Sequence, residues 1–339
     1  MKALTYNDVL LVPSYNHHAS RRSVKTVSTD RTGKLTLELP VMTSNMDTIT
    51  ESSMANFIAD KGGVGFLHRF MSIEENVKEF KKCTGKAVVS IGCQEESLTR
   101  AEALKDAGAE YFCVDVAHAH AKYVGSTLKK LRELLGKEVC LIGGNVATYA
   151  GADYLAGCGA DIIKVGIGGG SVCTTRIKTG FGVPMLHSIQ SCARVGRSII
   201  ADGGIKTSGD IVKALAFGAD FVMVGSMLAG TTPTPGEVFE KENPDGSKSK
   251  FKKYRGMASH AVQEEHRGGK MPEWKTAEGV STQVPFNSNE HEIIADIIGG
   301  LRSGLTYAGA IDIPELQRKL DYIEITQEGR IESLPHKLM

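Results

Sequence analysis

The sequence predicts a closed (β/α)8 barrel, the TIM-barrel fold, from three observations. Eight short apolar runs recur along the 339 residues, their starts lie 21 to 37 residues apart, and segments of helical period separate them. Apolar strands that alternate with helices indicate a parallel sheet covered on both faces. Because there are eight such units and no ninth, we expect closure into a barrel rather than an open doubly wound sheet.

The eight predicted strands follow one another in this order: LPVMTSNMD from Leu39, GGVGFLHR from Gly62, AVVSIGC from Ala87, YFCVDVAHAH from Tyr111, CLIGGNVAT from Cys140, DIIKVGIGGG from Asp161, SIIADGG from Ser198 and DFVMVGSMLAG from Asp220. Between strands, Thr99–Ala109 and Ser208–Ala219 have the apolar period of helices, and Ser208 is the predicted N-cap of the second.

A long excursion, residues 231–287, separates the eighth strand from the last helical unit, EHEIIADIIGGLRSGL. The excursion contains turn sequences and many charges, so we expect surface loops that form a flap, or lid, over the barrel. Residues 1–339 are predicted to form a single barrel domain.

The composition excludes several classes of protein. Lysine and arginine total 40 against 39 acidic residues, which leaves no electrostatic footprint for nucleic acid or an anionic membrane. No apolar run approaches the roughly 20 residues of a membrane span. The seven cysteines include no CxxC pair, so we expect neither a zinc knuckle nor a disulfide framework. These features predict a cytoplasmic protein.

The candidate chemistry lies at the carboxyl ends of the strands, where barrel enzymes place their active sites. The stretch GIGGGSVCTTR puts Cys173 behind four glycines, and backbone amides near a thiol favour a nucleophilic thiolate. Strands seven and eight end in ADGGI and VGSM, whose glycine turns are candidate phosphate sites. Asp202 is placed to accept sugar hydroxyls, and Asp115 is expected to face the barrel mouth.

Two other interpretations of these residues are weaker. His118 and His120 share one face of an extended strand and, with Asn145 and Asp202, would suit a metal-dependent hydrolase, but no third histidine or cysteine converges. GIGGGS approaches the dinucleotide-binding fingerprint, yet Ser171 stands where the third glycine belongs and no helix pattern follows.

GIGGGSVCTTR, IADGGIKTSGDIVKAL, FVMVGSMLAG and YRGMAS together resemble the IMP dehydrogenase and GMP reductase family. The resemblance extends from YNDVLLVPS near Tyr6 to GGLRSGLTYAGA near Gly299. It implies a (β/α)8 barrel, usually tetrameric, whose catalytic cysteine attacks carbon 2 of the purine. The regulatory CBS insert that many dehydrogenases carry between strands two and three is missing here.

Within the family, the flap favours GMP reductase. A dehydrogenase carries an Arg-Tyr pair in its flap to activate water, and no such pair occurs between Ala258 and Glu278. HRGGKMPEWKTAEG is instead similar to the reductase flap. Gly169 replaces a common proline, and Ile205, Ser226 and Arg255 look dehydrogenase-like. The alternatives are therefore an IMP dehydrogenase without CBS modules, which makes XMP with NAD, and a nucleotide-binding barrel without catalysis.

The resemblance implies site residues by matching positions. The implied catalytic residues are Cys173, Thr175 and Glu278. The implied GMP-binding residues are Ser171, Asp202, Gly203, Gly204, Gly225, Ser226, Tyr254, Gly256, Met257, Ala258 and Gly279. The implied NADPH-binding residues are Ser20, Arg21, Arg69, Asp115, Val116, Ala117, Ile167, Gly168, Trp274, Lys275, Ser303 and Thr306. A potassium ion is expected on backbone carbonyls at Gly168, Gly170, Cys173 and Arg176, and the protein is expected to be a homotetramer.

Overall fold

Eight parallel strands close into a barrel in the computed structural model, which describes residues 2–266 and 269–335. In chain order the strands are β1 (Val9–Leu11), β2 (Ser28–Thr29), β3 (Thr36–Leu37), β4 (Val41–Thr43), β5 (Val64–Leu67), β6 (Ala87–Ile91), β7 (Tyr111–Asp115), β8 (Cys140–Val146), β9 (Ile162–Val165), β10 (Ser198–Asp202), β11 (Phe221–Val224), β12 (Phe239–Glu242), β13 (Lys248–Arg255), β14 (Ser281–Pro285) and β15 (Tyr322–Glu324). Strands β4 to β11 pair in sequence and β11 pairs with β4, so the predicted fold and all eight predicted strands are confirmed.

Helices follow the barrel strands and cover the outside of the sheet. They are α1 (Ser52–Asp60), α2 (Ile73–Lys81), α3 (Ser97–Asp106), α4 (Lys122–Leu135), α5 (Tyr149–Gly157), α6 (Thr175–Thr179), α7 (Met185–Cys192), α8 (Ser208–Ala216), α9 (His260–His266), α10 (Glu290–Tyr307), α11 (Ile313–Arg318) and α12 (Gln327–Glu332). The predicted N-cap of α8 is wrong by one residue. Thr207 is the cap, because its hydroxyl accepts from the backbone of Asp210, whose carboxylate in turn accepts from the Thr207 amide.

The barrel interior is filled by one apolar cluster. Alternate residues of the strands point inward, among them Phe66, Ile162 and Phe221, and all three are fully buried. Leu35 and Leu37 from the β2–β3 hairpin join the same cluster and close the amino-terminal end of the barrel. The interior is therefore a packed core, and it leaves only the carboxyl-terminal end open as a mouth.

An ion cluster lies at the closed end. The carboxylate of Asp161 accepts from Lys34 Nζ at 2.9 Å, from Arg132 at 2.6 Å and from the backbone amide of Leu141 at 2.9 Å. Arg132 also donates to the carbonyls of Val139 and Gly159. These bonds join the hairpin, α4 and the start of β9.

The excursion after β11 contains more regular structure than the sequence indicates. The prediction of surface loops is wrong for β12, β13 and β14, which form an antiparallel sheet. The many lysines of β13 obscure its strand pattern, because Lys250 and Lys253 are exposed whereas Lys252 is buried. The Lys252 ammonium donates to the carbonyls of Thr231 and Thr234, so this buried group is hydrogen-bonded inside the protein.

Two further observations concern the cysteines and the helices. The seven cysteines are all free in the structure. Within residues 2–266 and 269–335, no helix combines the length and apolar character that crossing a bilayer requires.

Candidate active site

A cavity of about 300 Å³ opens at the carboxyl ends of the barrel strands, where the sequence predicts the chemistry. Its walls come from the loops after β7, β9, β10 and β11 and from the segment that follows β13. The three predicted catalytic residues, Cys173, Thr175 and Glu278, all line it. The structure thus brings together residues that lie more than a hundred positions apart.

The loop between β9 and α6 positions Cys173. Its Sγ lies 3.1 Å from Thr175 Oγ1, and its backbone amide donates to the carbonyl of Gly170 at 3.1 Å. Gly166 has to be glycine here, because its φ is +144° and a Cβ would lie 1.9 Å from the carbonyl oxygen of Asp202. The half-buried thiol therefore faces the cavity from a loop that packs directly against the end of β10.

The end of the excursion is clamped onto this loop. The amide of Thr174 donates to the carbonyl of Glu278 at 2.8 Å, and the amide of Val280 donates to the carbonyl of Val172 at 3.0 Å. Cys173 and Gly279 form an isolated antiparallel bridge. These backbone bonds place Glu278 on the same cavity as Cys173 and Thr175. Arg267 and Gly268 of the predicted flap lie outside the described residues.

The residues of the predicted phosphate site line the same cavity. Ser171 Oγ and Tyr254 Oη are hydrogen-bonded at 2.8 Å, and burial raises the pKa of Tyr254 so that it stays a neutral donor. Gly203 and Gly204 both have positive φ, at +116° and +78°. The remaining predicted substrate residues on this cavity are Asp202, Gly225, Ser226, Gly256, Met257 and Ala258. Gly279 is in reach of it through its bridge to Cys173.

The predicted cofactor residues divide into two groups. Those on the cavity are Arg69, Asp115, Val116, Ala117, Ile167 and Gly168. The others are not among its lining residues. Ser303 lines a second cavity, of about 390 Å³, between the β1 end, α8 and α10. Trp274 is 84% exposed, and Lys275 Nζ lies 3.5 Å from Gln263 Oε1. Ser20, Arg21 and Thr306 are likewise not among the residues that line this cavity.

The predicted potassium residues fit a hard monovalent ion by their donor chemistry. Gly168, Gly170, Cys173 and Arg176 offer backbone carbonyl oxygens from one loop and the first turn of α6, which suits such an ion. Gly168 has φ of +77°, and a Cβ there would lie 2.7 Å from the Arg176 side chain. A glycine at this position therefore lets the loop pack closely against α6. The ion itself stays a prediction.

The metal-hydrolase interpretation gains no support. The rings of His118 and His120 are 6.4 Å apart, and His120 packs on Tyr154 instead of facing the cavity. Among the residues that the structure describes, no three histidine, cysteine or acidic side chains form a metal-binding group. Asn145 has another partner: its amide donates to Asp202 and to the carbonyl of Gly166, both at 2.8 Å.

Sequence reasoning missed two clusters of bonded charged side chains. Lys164 lies on the cavity between Asp115 and Asp202, and its signal was a single lysine inside the apolar run DIIKV. Arg255 is bonded to Asp47, Glu265 and His266, and this cluster fastens α9 to the loop after β4. No local pattern marks the second group, because its members meet only in three dimensions.

Comparison with known proteins gives a consistent result. Residues 3–336 match the profile of the IMP dehydrogenase / GMP reductase domain. Human GMP reductase 1 is 35% identical, with 96% of each chain covered. The crystal structure of inosine 5'-monophosphate dehydrogenase from Legionella pneumophila is 72% identical with a TM-score of 0.88, and 97% of this chain and 100% of that one are covered. The structure of GMP reductase from Trypanosoma brucei in complex with guanosine 5'-monophosphate has 27% identity and a TM-score of 0.91, with 100% and 98% covered.

Proposed function

The chain belongs to the IMP dehydrogenase and GMP reductase family of oxidoreductases, and from that premise we propose that it is a GMP reductase. In this proposal it converts GMP to IMP and ammonia, and NADPH supplies the hydride. The substrate is a purine nucleotide on the cavity of Cys173. The active form is proposed to be a homotetramer that binds potassium at the loop before α6.

The observation that carries the proposal is the composition of the flap end beside the thiol. Glu278 is the acidic group that the excursion delivers to Cys173 and Thr175, through the bond between the Thr174 amide and the Glu278 carbonyl. The sequence between Ala258 and Glu278 has no Arg-Tyr pair to activate water. The site thus has a group that can move protons but lacks the pair that dehydrogenases use for hydrolysis.

In the proposed mechanism, the Cys173 sulfur forms a bond to carbon 2 of the guanine, and the carbon–nitrogen bond to the exocyclic amino group breaks. This covalent step divides one difficult displacement into two easier ones. Ammonia leaves with a proton that Glu278 and Thr175 relay to it. The remaining thioimidate accepts a hydride at carbon 2, the carbon–sulfur bond breaks, and IMP is released with the thiol restored.

The same cavity supports nucleotide binding. The glycine turns after β10 and β11 present backbone amides to the phosphate, and the Ser171–Tyr254 pair adds two hydroxyls. The Asp202 carboxylate accepts hydrogen bonds from the ribose hydroxyls. Asp115, Val116 and Ala117 lie on the side from which the nicotinamide would approach carbon 2.

The second candidate is IMP dehydrogenase, which the 72% identity to the Legionella enzyme favours. Two mixtures separate the candidates: purified protein with GMP and NADPH, and purified protein with IMP and NAD. Cofactor absorbance should fall in the first mixture and stay constant in the second. A change in the second mixture alone overturns the proposal.

Cys173→Ala is the control for both mixtures, since it removes the nucleophile and should abolish either reaction. Saturable GMP binding without turnover in the unaltered protein would instead favour a nucleotide-binding barrel without catalysis.

A further inference from the structure

A buried lysine lies between the two carboxylates that the proposed function assigns to different ligands. Lys164 Nζ is 2.8 Å from Asp115 Oδ1 and 2.9 Å from Asp202 Oδ2, and only 3% of the lysine side chain is exposed. Asp115 lies on the cofactor side and Asp202 on the ribose side. All three side chains line the cavity that contains Cys173.

The barrel geometry explains how one lysine reaches both carboxylates. Cys113, Ile162 and Ile200 point into the core, so Asp115, Lys164 and Asp202, two residues further along the same strands, form the next layer toward the mouth. Strand β8 separates β7 from β9, and its Gly144 pairs with both Asp115 and Lys164. A Cβ on Gly144 would lie 2.5 Å from the Lys164 Cβ. The Lys164 side chain therefore passes β8 at Gly144, where the absence of a Cβ leaves room for it.

The bonds leave the carboxylates with capacity for ligands. The Asp202 Oδ2 atom accepts from both Lys164 and Asn145, and within the described residues its Oδ1 atom accepts from no protein group. An ionised carboxylate has about four acceptor positions, so two directions remain open toward the cavity. Lys164 and Asn145 fix the plane of the carboxylate and orient these positions.

We infer that Lys164 is a positioning residue that holds Asp115 and Asp202 in place for the cofactor and the nucleotide together. This inference rests on the proposed function for the assignment of the two ligand sides. It does not depend on which purine nucleotide or which nicotinamide cofactor the enzyme uses, because both family activities place a nucleotide and a cofactor on these two sides.

The charge state of the cluster supports the inference. Burial alone would raise the pKa of Asp115, but the charge and the hydrogen bond of Lys164 outweigh it and bring this pKa below its usual value. Burial opposes the charge on Lys164, and the two carboxylates outweigh that effect and raise its pKa. Around neutral pH Asp115 and Lys164 are therefore both ionised.

Other titratable groups act electrostatically on the two carboxylates: Tyr6, Arg69, Cys93, Cys113 and Tyr254. Burial raises the pKa of both thiols and both phenols, so these four groups are neutral near pH 7. Arg69 is then the one further charge among these five groups. Without Lys164, both carboxylates would lose their bonded cation, and Asp115 would lose the main cause of its lowered pKa.

The experiment compares Lys164→Met with Lys34→Met, which removes a lysine–aspartate pair at the closed end of the barrel. Initial rates give kcat and both KM values from pH 6.5 to 9. For Lys164→Met we expect both KM values to rise roughly tenfold to a hundredfold, as for lost bonds to charged groups. The acid limb of kcat/KM should also move to higher pH, since the Asp115 carboxylate now protonates more easily. Lys34→Met should leave KM and the pH profile unchanged.

The inference is overturned if Lys164→Met is folded and its KM values and pH profile match those of the unaltered enzyme, or if only one KM changes. Should Lys164→Met not fold, Lys164→Gln retains a donor without the charge and is judged by the same criteria. Turnover of IMP and NAD instead of GMP and NADPH contradicts the proposed function alone. The comparison is then made with that pair of substrates, and the same results decide the role of Lys164.

Discussion

The two ends of the barrel each carry a buried ion cluster, and the balance of charge differs between them. At the closed end one carboxylate, Asp161, is bonded to two cations, Lys34 and Arg132, and to a backbone amide. At the mouth one cation, Lys164, is bonded to two carboxylates. The residues of the first cluster do not line the cavity, whereas Lys164, Asp115 and Asp202 all do.

This difference corresponds to the different roles of the two ends of the barrel. The β2–β3 hairpin covers the closed end, so we expect an ion cluster there, away from the cavity, to contribute to folding alone. At the mouth Asp202 lines the cavity, and a carboxylate on a cavity wall is available to a ligand. Substitutions at the mouth should therefore change kinetics, and substitutions at the closed end should change stability.

The largest effect is expected for Cys173→Ala, which removes the only atom that forms a bond to the purine. Activity should fall by on the order of 10⁴-fold or more, as for other lost nucleophiles. The thermal midpoint and GMP affinity should stay close to those of the unaltered protein. Steady-state rates, thermal melts and titration with GMP measure the three quantities. A variant that retains a tenth of the activity would contradict the assigned role.

Glu278→Gln should have the next largest effect. It keeps the shape of the side chain but removes the proton carrier, so ammonia release should slow by roughly 10²- to 10⁴-fold. Hydride transfer to a preformed covalent intermediate should slow much less, because that step needs no proton at the amino group. Rapid-mixing measurements of the two half-reactions test this. Equal losses in both halves would mean that Glu278 has a different role.

At the closed end, Asp161→Asn should lower stability instead of activity. It leaves Lys34 and Arg132 without their counter-charge, and breaking such a pair costs about 2–3 kcal/mol once partial exposure is taken into account. Chemical denaturation measures the free energy of unfolding, and kcat should be unaltered in the folded fraction. A large fall in kcat with normal stability would break the comparison between the two ends.

The smallest effect is expected for Ser171→Ala. It removes a hydroxyl that bonds Tyr254 and, in the proposed function, the phosphate, so the nucleotide KM should rise roughly tenfold or less. Ser188→Ala is a matched control, because Ser188 Oγ is buried in α7 and is bonded to no atom of the described residues. That control should leave KM unchanged, and stability should stay the same or rise, because the buried hydroxyl that is removed has no partner among the described residues. An unaltered KM in Ser171→Ala would remove this hydroxyl from the phosphate site.

The sequence predicted the barrel well because its strands are continuous apolar runs with glycine turns at their carboxyl ends. It predicted the cavity walls for the same reason, since those turns carry Cys173, Asp202 and Ser226. It missed the sheet of β12 to β14, because a buried lysine and an exposed lysine cannot be told apart in the sequence. The burial of Lys252 depends on carbonyls of Thr231 and Thr234, which no local pattern reveals.

The role of Lys164 was missed for a related reason. A lysine within an apolar strand signals an internal partner, but the partners lie on β7 and β10, 49 and 38 positions away along the chain. The glycine that makes room for it lies on a third strand. Only the register of the closed barrel brings these four residues together.

The most direct test of the account is mass spectrometry of acid-quenched enzyme after incubation with IMP and NADP⁺, the reverse of the proposed second half-reaction. Without ammonia the reverse reaction should stop at the covalent stage, so the account predicts a purine nucleotide attached to Cys173 and no XMP in solution. Accumulation of XMP would mean that water reaches and cleaves the intermediate, as in a dehydrogenase. Absence of any nucleotide on Cys173, under conditions in which the enzyme turns over, would contradict covalent catalysis by this sulfur.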